Sequence, residues 1–324
     1  MPPTTPATTP ATIRAAEFAR HRRADAEDLG RRLADEVGDP GTFADVLRTG
    51  LTRLADPGSR AGQRRVAPGI DSLHGVPRAL IEGVQRAFRV ATRGERTSSW
   101  LFVVDRLLRE PELEARWFAF ALLERLVVDD TERAWQLLRR AAREAGDRLT
   151  VDSLARPIGQ GILNEEYRWA ELEQLVYSPS RWERRLVGST IATIPFIDRS
   201  RGRTAPVAGH GLGLVGELIG DAEPDVQNAL ARALRSMARV DRRATTRFLD
   251  AEALLTADAA DGHRARVIRD ALGTLDPGDA GRIRARVAGI RAPTGAPATS
   301  RASQTAERFG AGLRSQPMAE HRLS

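Results

Sequence analysis

Apolar residues recur at spacings of three and four along almost the whole chain, and this periodicity constrains the fold more than any other feature. The pattern begins near Ile13 and continues to about Ile290. It is typical of helices that each bury one face. No segment alternates apolar and polar residues in the manner of a strand. The sequence therefore predicts an all-α fold.

Several of these helical segments open with a similar signature, an acidic or proline-containing turn followed by Arg or Val and an apolar stripe. Three of them start near Ser180, Glu223 and Asp261, at intervals of roughly 40 residues. This interval is typical of two-helix repeats of the HEAT or armadillo kind, which stack into a solenoid. We expect a curved solenoid of antiparallel helix pairs, whose concave surface suits an extended ligand.

Composition divides the chain into three parts. Residues 1–12 are mostly Pro, Thr and Ala, and they predict a disordered tail. Residues 13–291 carry the helical pattern and form one HEAT-like repeat domain. Residues 292–324 mix Pro, Gly, Ser and Thr with single arginines, which predicts a mostly disordered tail with a marginal helix at 304–313.

The sequence contains 50 arginines and no lysine. Its formal net charge is +7. Arginine grips phosphate bidentately, so this balance favours a nucleic-acid partner. Solvated helix surfaces are the alternative. The absence of cysteine excludes disulfides, thiolate metal sites and cysteine nucleophiles. No apolar run is long enough to span a membrane, and no hydrophobic signal core follows the first residue, so we expect a cytoplasmic protein.

Two short segments carry the charges that chemistry on a nucleic acid would need. Residues 149–155 place one carboxylate, Asp152, among apolar helix formers. An ion pair with Arg156 or a helix cap is the structural alternative for this carboxylate.

Residues 181–187 place Arg181, Arg184 and Arg185 within about one helical turn, next to a tryptophan. A helical wheel puts these arginines on the exposed face, opposite an apolar stripe. Gly188 lies beside them, where a small residue lets a ligand backbone approach closely. A solvated basic face that pairs with Glu183 is the alternative.

Other candidate sites are weaker. Residues 209–213, Gly-His-Gly-Leu-Gly, lack the Lys and Ser/Thr of a phosphate-binding loop and predict a helix break or start. The five histidines show no metal-ligand spacing. We therefore expect neither a metal ion nor a cofactor.

Five segments in order resemble the bacterial DNA alkylation repair glycosylases built of HEAT-like repeats, the AlkD type. They are LHGVPRAL at 73–80, EARWFAFALL at 114–123, VDSLA at 151–155, WERR at 182–185 and VQNALARALR at 226–235. Each motif is degenerate, and their order and spacing make the resemblance moderately specific.

The resemblance implies roles for individual residues. Asp152 matches the catalytic aspartate of the family, and Arg185 matches its DNA-contacting arginine, with Arg184 adjacent. Arg148 and Arg232 stand where the family has two tryptophans that pack against the nucleotide sugar and backbone. This exchange keeps phosphate attraction but removes the aromatic surfaces.

Three functions are therefore open. The first is a monomeric glycosylase that releases N3- or N7-alkylated purines from duplex DNA, with Asp152 as catalyst and Arg148, Arg181, Arg184, Arg185 and Arg232 as DNA contacts. The second is a non-catalytic DNA-binding protein that recognises damaged or branched DNA. The third is a protein-binding scaffold.

Overall fold

A computed structural model describes residues 10–70, 72–95 and 97–315, with side chains from residue 13 to residue 310. These residues form helices and no strand, apart from an isolated bridge between Ser72 and Glu112. The predicted all-α class is therefore confirmed. In this part of the chain, no helix is both long enough and apolar enough to cross a membrane.

The described residues form seventeen α-helices. In chain order they are α1 (Pro10–His21), α2 (Arg23–Asp35), α3 (Pro40–Arg53), α4 (Pro57–Val66), α5 (Arg78–Ala91), α6 (Trp100–Leu108), α7 (Leu113–Asp129), α8 (Thr131–Glu144), α9 (Arg148–Asn164), α10 (Trp169–Gln174), α11 (Arg181–Ile197), α12 (Ala205–Leu218), α13 (Pro224–Val240), α14 (Arg242–Ala259), α15 (Gly262–Ala271), α16 (Pro277–Arg286) and α17 (Arg301–Ser315).

The starts of many helices follow from simple capping chemistry. Side-chain oxygens of Asp39, Asp56, Thr204, Asp241 and Asp261 each accept a backbone N–H from the first turn of the helix that follows. These bonds satisfy donors that have no partner inside a helix. Proline stands in the first turn of α3, α4, α12, α13 and α16, where it removes no helical hydrogen bond.

Apolar periodicity missed α4 and the first half of α12. Helix α4 is strongly polar and has no buried residue, so it has no apolar stripe to detect. Helix α12 begins at Ala205 and runs through residues 209–213, where the glycines had predicted a break or a start. At Gly211 the glycine allows close packing of α12, because a Cβ there would lie only 2.9 Å from Met237 and 3.0 Å from Ile191.

The chain divides into two compact units. The first contains the described residues up to 141 together with 146–153. Four aromatic rings form its centre: Phe88 lies 5.9 Å from Phe43, 5.6 Å from Phe118 and 5.3 Å from Trp100, between ring centroids. These edge-on and tilted contacts join α3, α5, α6 and α7 into one core.

A buried carboxylate in the first unit connects two of the sequence motifs described above. Glu114, fully buried at the start of α7, accepts N–H bonds from Gly75 and Val76 at 2.7 and 3.0 Å and from His74 at 3.0 Å. Gly75 adopts φ +87°, a conformation that disfavours other residues. Glu114 and Gly75 therefore have a structural role in holding this turn.

The second unit contains residues 142–145 and 154–315. Its odd-numbered helices α11, α13 and α15 pack in sequence against one another, and its even-numbered helices α12, α14 and α16 do likewise. Arg185 on α11 bonds to Asp225 on α13, and Gly188 lies against Ala229 further along both helices, so the two helices run parallel. The partners lie about 40 residues apart, which confirms the repeat interval for this region.

The C-terminal part of the second unit corrects the prediction of a mostly disordered tail. Residues 301–315 form α17, and Ala302, Ser303 and Ala306 are fully buried. Before this helix, Thr299 donates its N–H to the carbonyl of Gly220 at 2.8 Å. The segment is folded although it is poor in large apolar residues. At the other end, residues 10–12 of the predicted tail already belong to α1, and residues 1–9 and 316–324 lie outside the described chain.

Candidate functional site

The start of α9 carries the predicted catalytic carboxylate, and a different aspartate caps this helix. Asp147 accepts N–H bonds from Leu149 and Thr150, both at 2.8 Å, and a hydroxyl bond from Thr150 at 2.5 Å. Asp152 lies one turn further along and is half-buried. The alternative that Asp152 is a helix cap is therefore wrong.

Arg148 lies four residues before Asp152, on the same face of α9. Its side chain is half-buried, and its Nε atom is buried with no hydrogen-bond partner among the described residues. An unpaired buried donor costs about 1–3 kcal/mol and calls for an explanation. The first turns of α9 thus hold a carboxylate and a guanidinium on one face, the latter with unused hydrogen-bonding capacity.

Arg184 on α11 is buried, at 4 % exposure. Its Nε donates to the carboxylate of Asp221 at 2.7 Å, and its Nη1 donates to the carbonyl of Ser178 at 2.8 Å. Asp221 is itself fully buried and also accepts a hydroxyl bond from Ser303 at 2.7 Å. The prediction that Arg184 lies on an exposed face is wrong, because its guanidinium is buried in an ion pair with Asp221 of the neighbouring repeat.

Arg185 is also buried, at 2 % exposure. Its Nη1 donates to the backbone carbonyl of Asp225 at 2.6 Å, and the carboxylate of Asp225 lies 3.8 Å away. The exposed-face prediction is therefore wrong for Arg185 as well. Arg181 is exposed as predicted; its guanidinium lies 4.8 Å from the Trp182 ring centroid and 3.5 Å from the carboxylate of Glu223.

Gly188 lets a backbone approach closely, but this backbone belongs to the protein. A Cβ at Gly188 would lie 2.9 Å from the carbonyl carbon of Ala229 and 3.0 Å from the nitrogen of Leu230, both on α13. The sequence had assigned this space to a ligand. The glycine instead permits the tight packing of α11 on α13.

Arg232 projects from α13 beside α11. It is half-buried, and its Nη2 donates to the hydroxyl of Ser189 at 3.0 Å. The structure thus brings Arg232 and Arg185 together along the packed pair α11 and α13 in the second unit. Arg148 and Asp152 lie in the first unit.

Asp221 is the important residue that the sequence did not point to, because it lies between two helical segments and belongs to none of the motifs above. Its position offered one signal: it lies 37 residues after Arg184, close to the repeat interval. An acidic residue one repeat beyond a helix-start arginine is a candidate buried partner. Across the described ranges, no group of three or more His, Asp or Glu side chains is arranged to hold a metal ion.

Comparison with protein-family models finds a match. A family model described as DNA alkylation repair enzyme matches residues 47–273, well over half of the chain. The matched region contains Asp152 and all five candidate arginines. No curated protein and no solved structure matches the chain significantly.

Proposed function

Because the chain belongs to the DNA alkylation repair enzyme family, we propose that it is a DNA glycosylase that releases N3- or N7-alkylated purines from duplex DNA. The observation that carries this proposal is the family match, which spans Asp152 on the half-buried first turns of α9. Asp147 supplies the helix cap, so the fold does not need Asp152 for that purpose.

The proposed reaction suits a site with a single carboxylate. A purine alkylated at N3 or N7 carries a positive charge, and it leaves with the electrons of the glycosidic bond without prior protonation. The deoxyribose then develops oxocarbenium character at C1′, which the carboxylate of Asp152 stabilises. A water molecule that Asp152 orients adds to C1′ and loses one proton to the solvent. Neither a metal ion nor a cofactor is needed for these steps.

The arginines divide into two groups in this proposal. Arg148, Arg181 and Arg232 contact DNA phosphates, and the unpaired Nε of Arg148 and the exposure of Arg181 support this part. Arg184 and Arg185 are buried and bonded to the next repeat, so they act by holding α11 against α13. Their effect on DNA binding is then indirect.

The test is base release from duplex DNA that carries N7-methylguanine or N3-methyladenine, measured with wild type and Asp152→Asn. We expect Asp152→Asn to lower the rate of release at least about 100-fold, since it removes the charge that stabilises the transition state. Glu144→Gln, at an exposed carboxylate near the end of α8, is the matched control and should release base normally. Equal rates for wild type and Asp152→Asn would reject a catalytic role for this aspartate.

A second candidate function is non-catalytic recognition of damaged or branched DNA. It is favoured by Arg148 and Arg232, because the resemblance to the AlkD-type glycosylases implies tryptophans that pack on the nucleotide at these two positions. Salt-sensitive DNA binding by wild type without any base release would support this candidate. A protein that neither binds DNA nor releases base would match the scaffold alternative.

A further inference from the structure

An exposed aromatic ring near the end of α11 has two guanidinium groups against it. Phe196 is 44 % exposed. The guanidinium carbon of Arg203, from the turn before α12, lies 5.6 Å from the ring centroid, and that of Arg239, near the end of α13, lies 5.8 Å from it. We call Phe196, Arg203 and Arg239 the phenylalanine–arginine patch.

Both arginines contact the ring of Phe196, and Arg203 is also held by a hydrogen bond that leaves its charge unneutralised. The Nε of Arg203 donates to the carbonyl of Pro195 at 3.0 Å, and this bond does not use the two terminal nitrogens of the guanidinium. Arg203 and Arg239 are both exposed. In the described ranges, no carboxylate lies within ion-pair distance of either guanidinium, although many arginines of this chain, such as Arg282 with Asp250, have such a partner.

Asp198, the acidic residue of this turn, already accepts hydrogen bonds within the turn. The carboxylate of Asp198 accepts the N–H of Ser200 at 2.8 Å, its hydroxyl at 2.7 Å and the N–H of Arg201 at 3.2 Å. These hydrogen bonds, with the nearby Arg201 charge, lower the pKa of Asp198 below its ordinary value. Asp198 therefore shapes the turn that carries Arg203.

Further positive charge surrounds the patch. The two guanidinium carbons lie within about 11 Å of each other, because each contacts the same ring. Arg199 and Arg201 are exposed in the same turn. Like charges gathered at a surface repel one another and create a potential that favours a polyanion. Guanidinium forks match phosphate oxygens in shape and charge.

The spacing between Phe196 and Arg181 along α11 fits two phosphate contacts on one DNA duplex. Phe196 follows Arg181 by fifteen residues, which is about 22 Å along a helix and about 60° around it. The two residues thus lie on the same broad side of α11, and both are exposed. A rise of 3.4 Å per base pair makes 22 Å roughly six to seven base pairs of duplex.

We propose that the phenylalanine–arginine patch is a second phosphate-binding surface, which grips the backbone of duplex DNA several base pairs from the phosphates near Arg181. This inference rests on the proposed function only in taking DNA as the partner. It assigns the patch to binding and not to catalysis.

The test is equilibrium binding of a 20-base-pair duplex without a lesion, measured by fluorescence anisotropy between 50 and 200 mM salt. The variant is Arg203→Gln/Arg239→Gln. Arg266→Gln/Arg284→Gln is the control, since it removes the same charge from two exposed arginines of the same unit. We expect the patch variant to bind about tenfold more weakly at 100 mM salt. Its plot of log affinity against log salt should be shallower by about two units.

The outcomes separate this inference from the glycosylase proposal. A patch variant that matches the control in affinity and salt slope overturns the phosphate-binding surface, while base release by wild type would still stand. A patch variant that binds weakly but retains Asp152-dependent base release at saturating protein supports the inference. Wild type that binds no duplex at 50 mM salt overturns the phosphate-binding surface, and wild type that also releases no alkylated base overturns both proposals.

Discussion

The two ends of α11 use arginine in opposite ways. At its start, Arg184 is buried and donates to Asp221 of the next repeat. Near its end, Arg203 and Arg239 meet on the exposed ring of Phe196 with no carboxylate within ion-pair distance in the described chain. The residue type is the same, and the difference lies in what the neighbouring helix supplies.

This contrast shows that clustered arginines do not by themselves mark a binding surface. A buried guanidinium with a carboxylate partner stabilises the fold only while both partners are present. An exposed guanidinium without such a partner contributes little to the fold and keeps its capacity for a ligand. Stability and DNA affinity should therefore respond in opposite order to substitutions at the two ends.

The largest effect on stability is expected from Arg184→Met, which leaves the buried carboxylate of Asp221 without its charge partner. The free energy of unfolding should fall by about 3–5 kcal/mol, measured by urea denaturation. Arg181→Met is the control, because Arg181 is exposed and its pair with Glu223 should contribute less than about 1 kcal/mol. Similar small losses for both variants would show that the pair of Arg184 with Asp221 does not stabilise the fold.

A smaller loss is expected from Gly188→Ala. Alanine normally favours a helix over glycine, but its Cβ would press on the α13 backbone at 2.9 Å. Overpacking of this kind costs about 1–3 kcal/mol. Gly209→Ala is the matched control, since a Cβ there has nothing within 4 Å, and it should raise stability by about 0.5–1 kcal/mol in the same urea experiment. A stabilising Gly188→Ala would contradict the tight packing of α11 on α13.

The smallest effect on stability is expected from Phe196→Leu, at the other end of the helix. The side chain is exposed, so the free energy of unfolding should change by no more than about 0.5 kcal/mol. Duplex affinity should nevertheless fall a few-fold, because the two guanidinium groups lose the ring that orients them. Unchanged affinity in the anisotropy assay would show that the ring does not position Arg203 and Arg239 for binding.

Much of the fold could be predicted because apolar periodicity reports the buried face of each helix directly. The interval of about 40 residues likewise reflects the parallel packing of α11 on α13. Segments without large apolar residues show no such periodicity and were not predicted as folded helices. Helix α4 buries nothing, and α17 buries small residues such as Ala302 and Ser303, whose composition resembles that of a flexible tail.

The candidate site was harder to predict because a helical wheel describes one helix without its neighbours. It placed Arg184 and Arg185 on the outside, since nothing in their own helix indicates a carboxylate and a carbonyl from the next repeat. It could not assign Asp147 as the cap of α9 in place of Asp152, because both are aspartates near a helix start. The phenylalanine–arginine patch joins three segments, and its first and last residues, Phe196 and Arg239, lie more than 40 positions apart in the sequence.

The bond between Ser303 and Asp221 has a consequence for how the chain is made. It joins residues 82 positions apart, so Asp221 is synthesised long before one of its partners. A nascent chain that ends at residue 273, where the family match stops, still lacks this bond and the Gly220 contact of Thr299. The first unit is complete in sequence by residue 153 and can fold during translation. The second unit reaches its final packing only after Ser303 has been added to the chain.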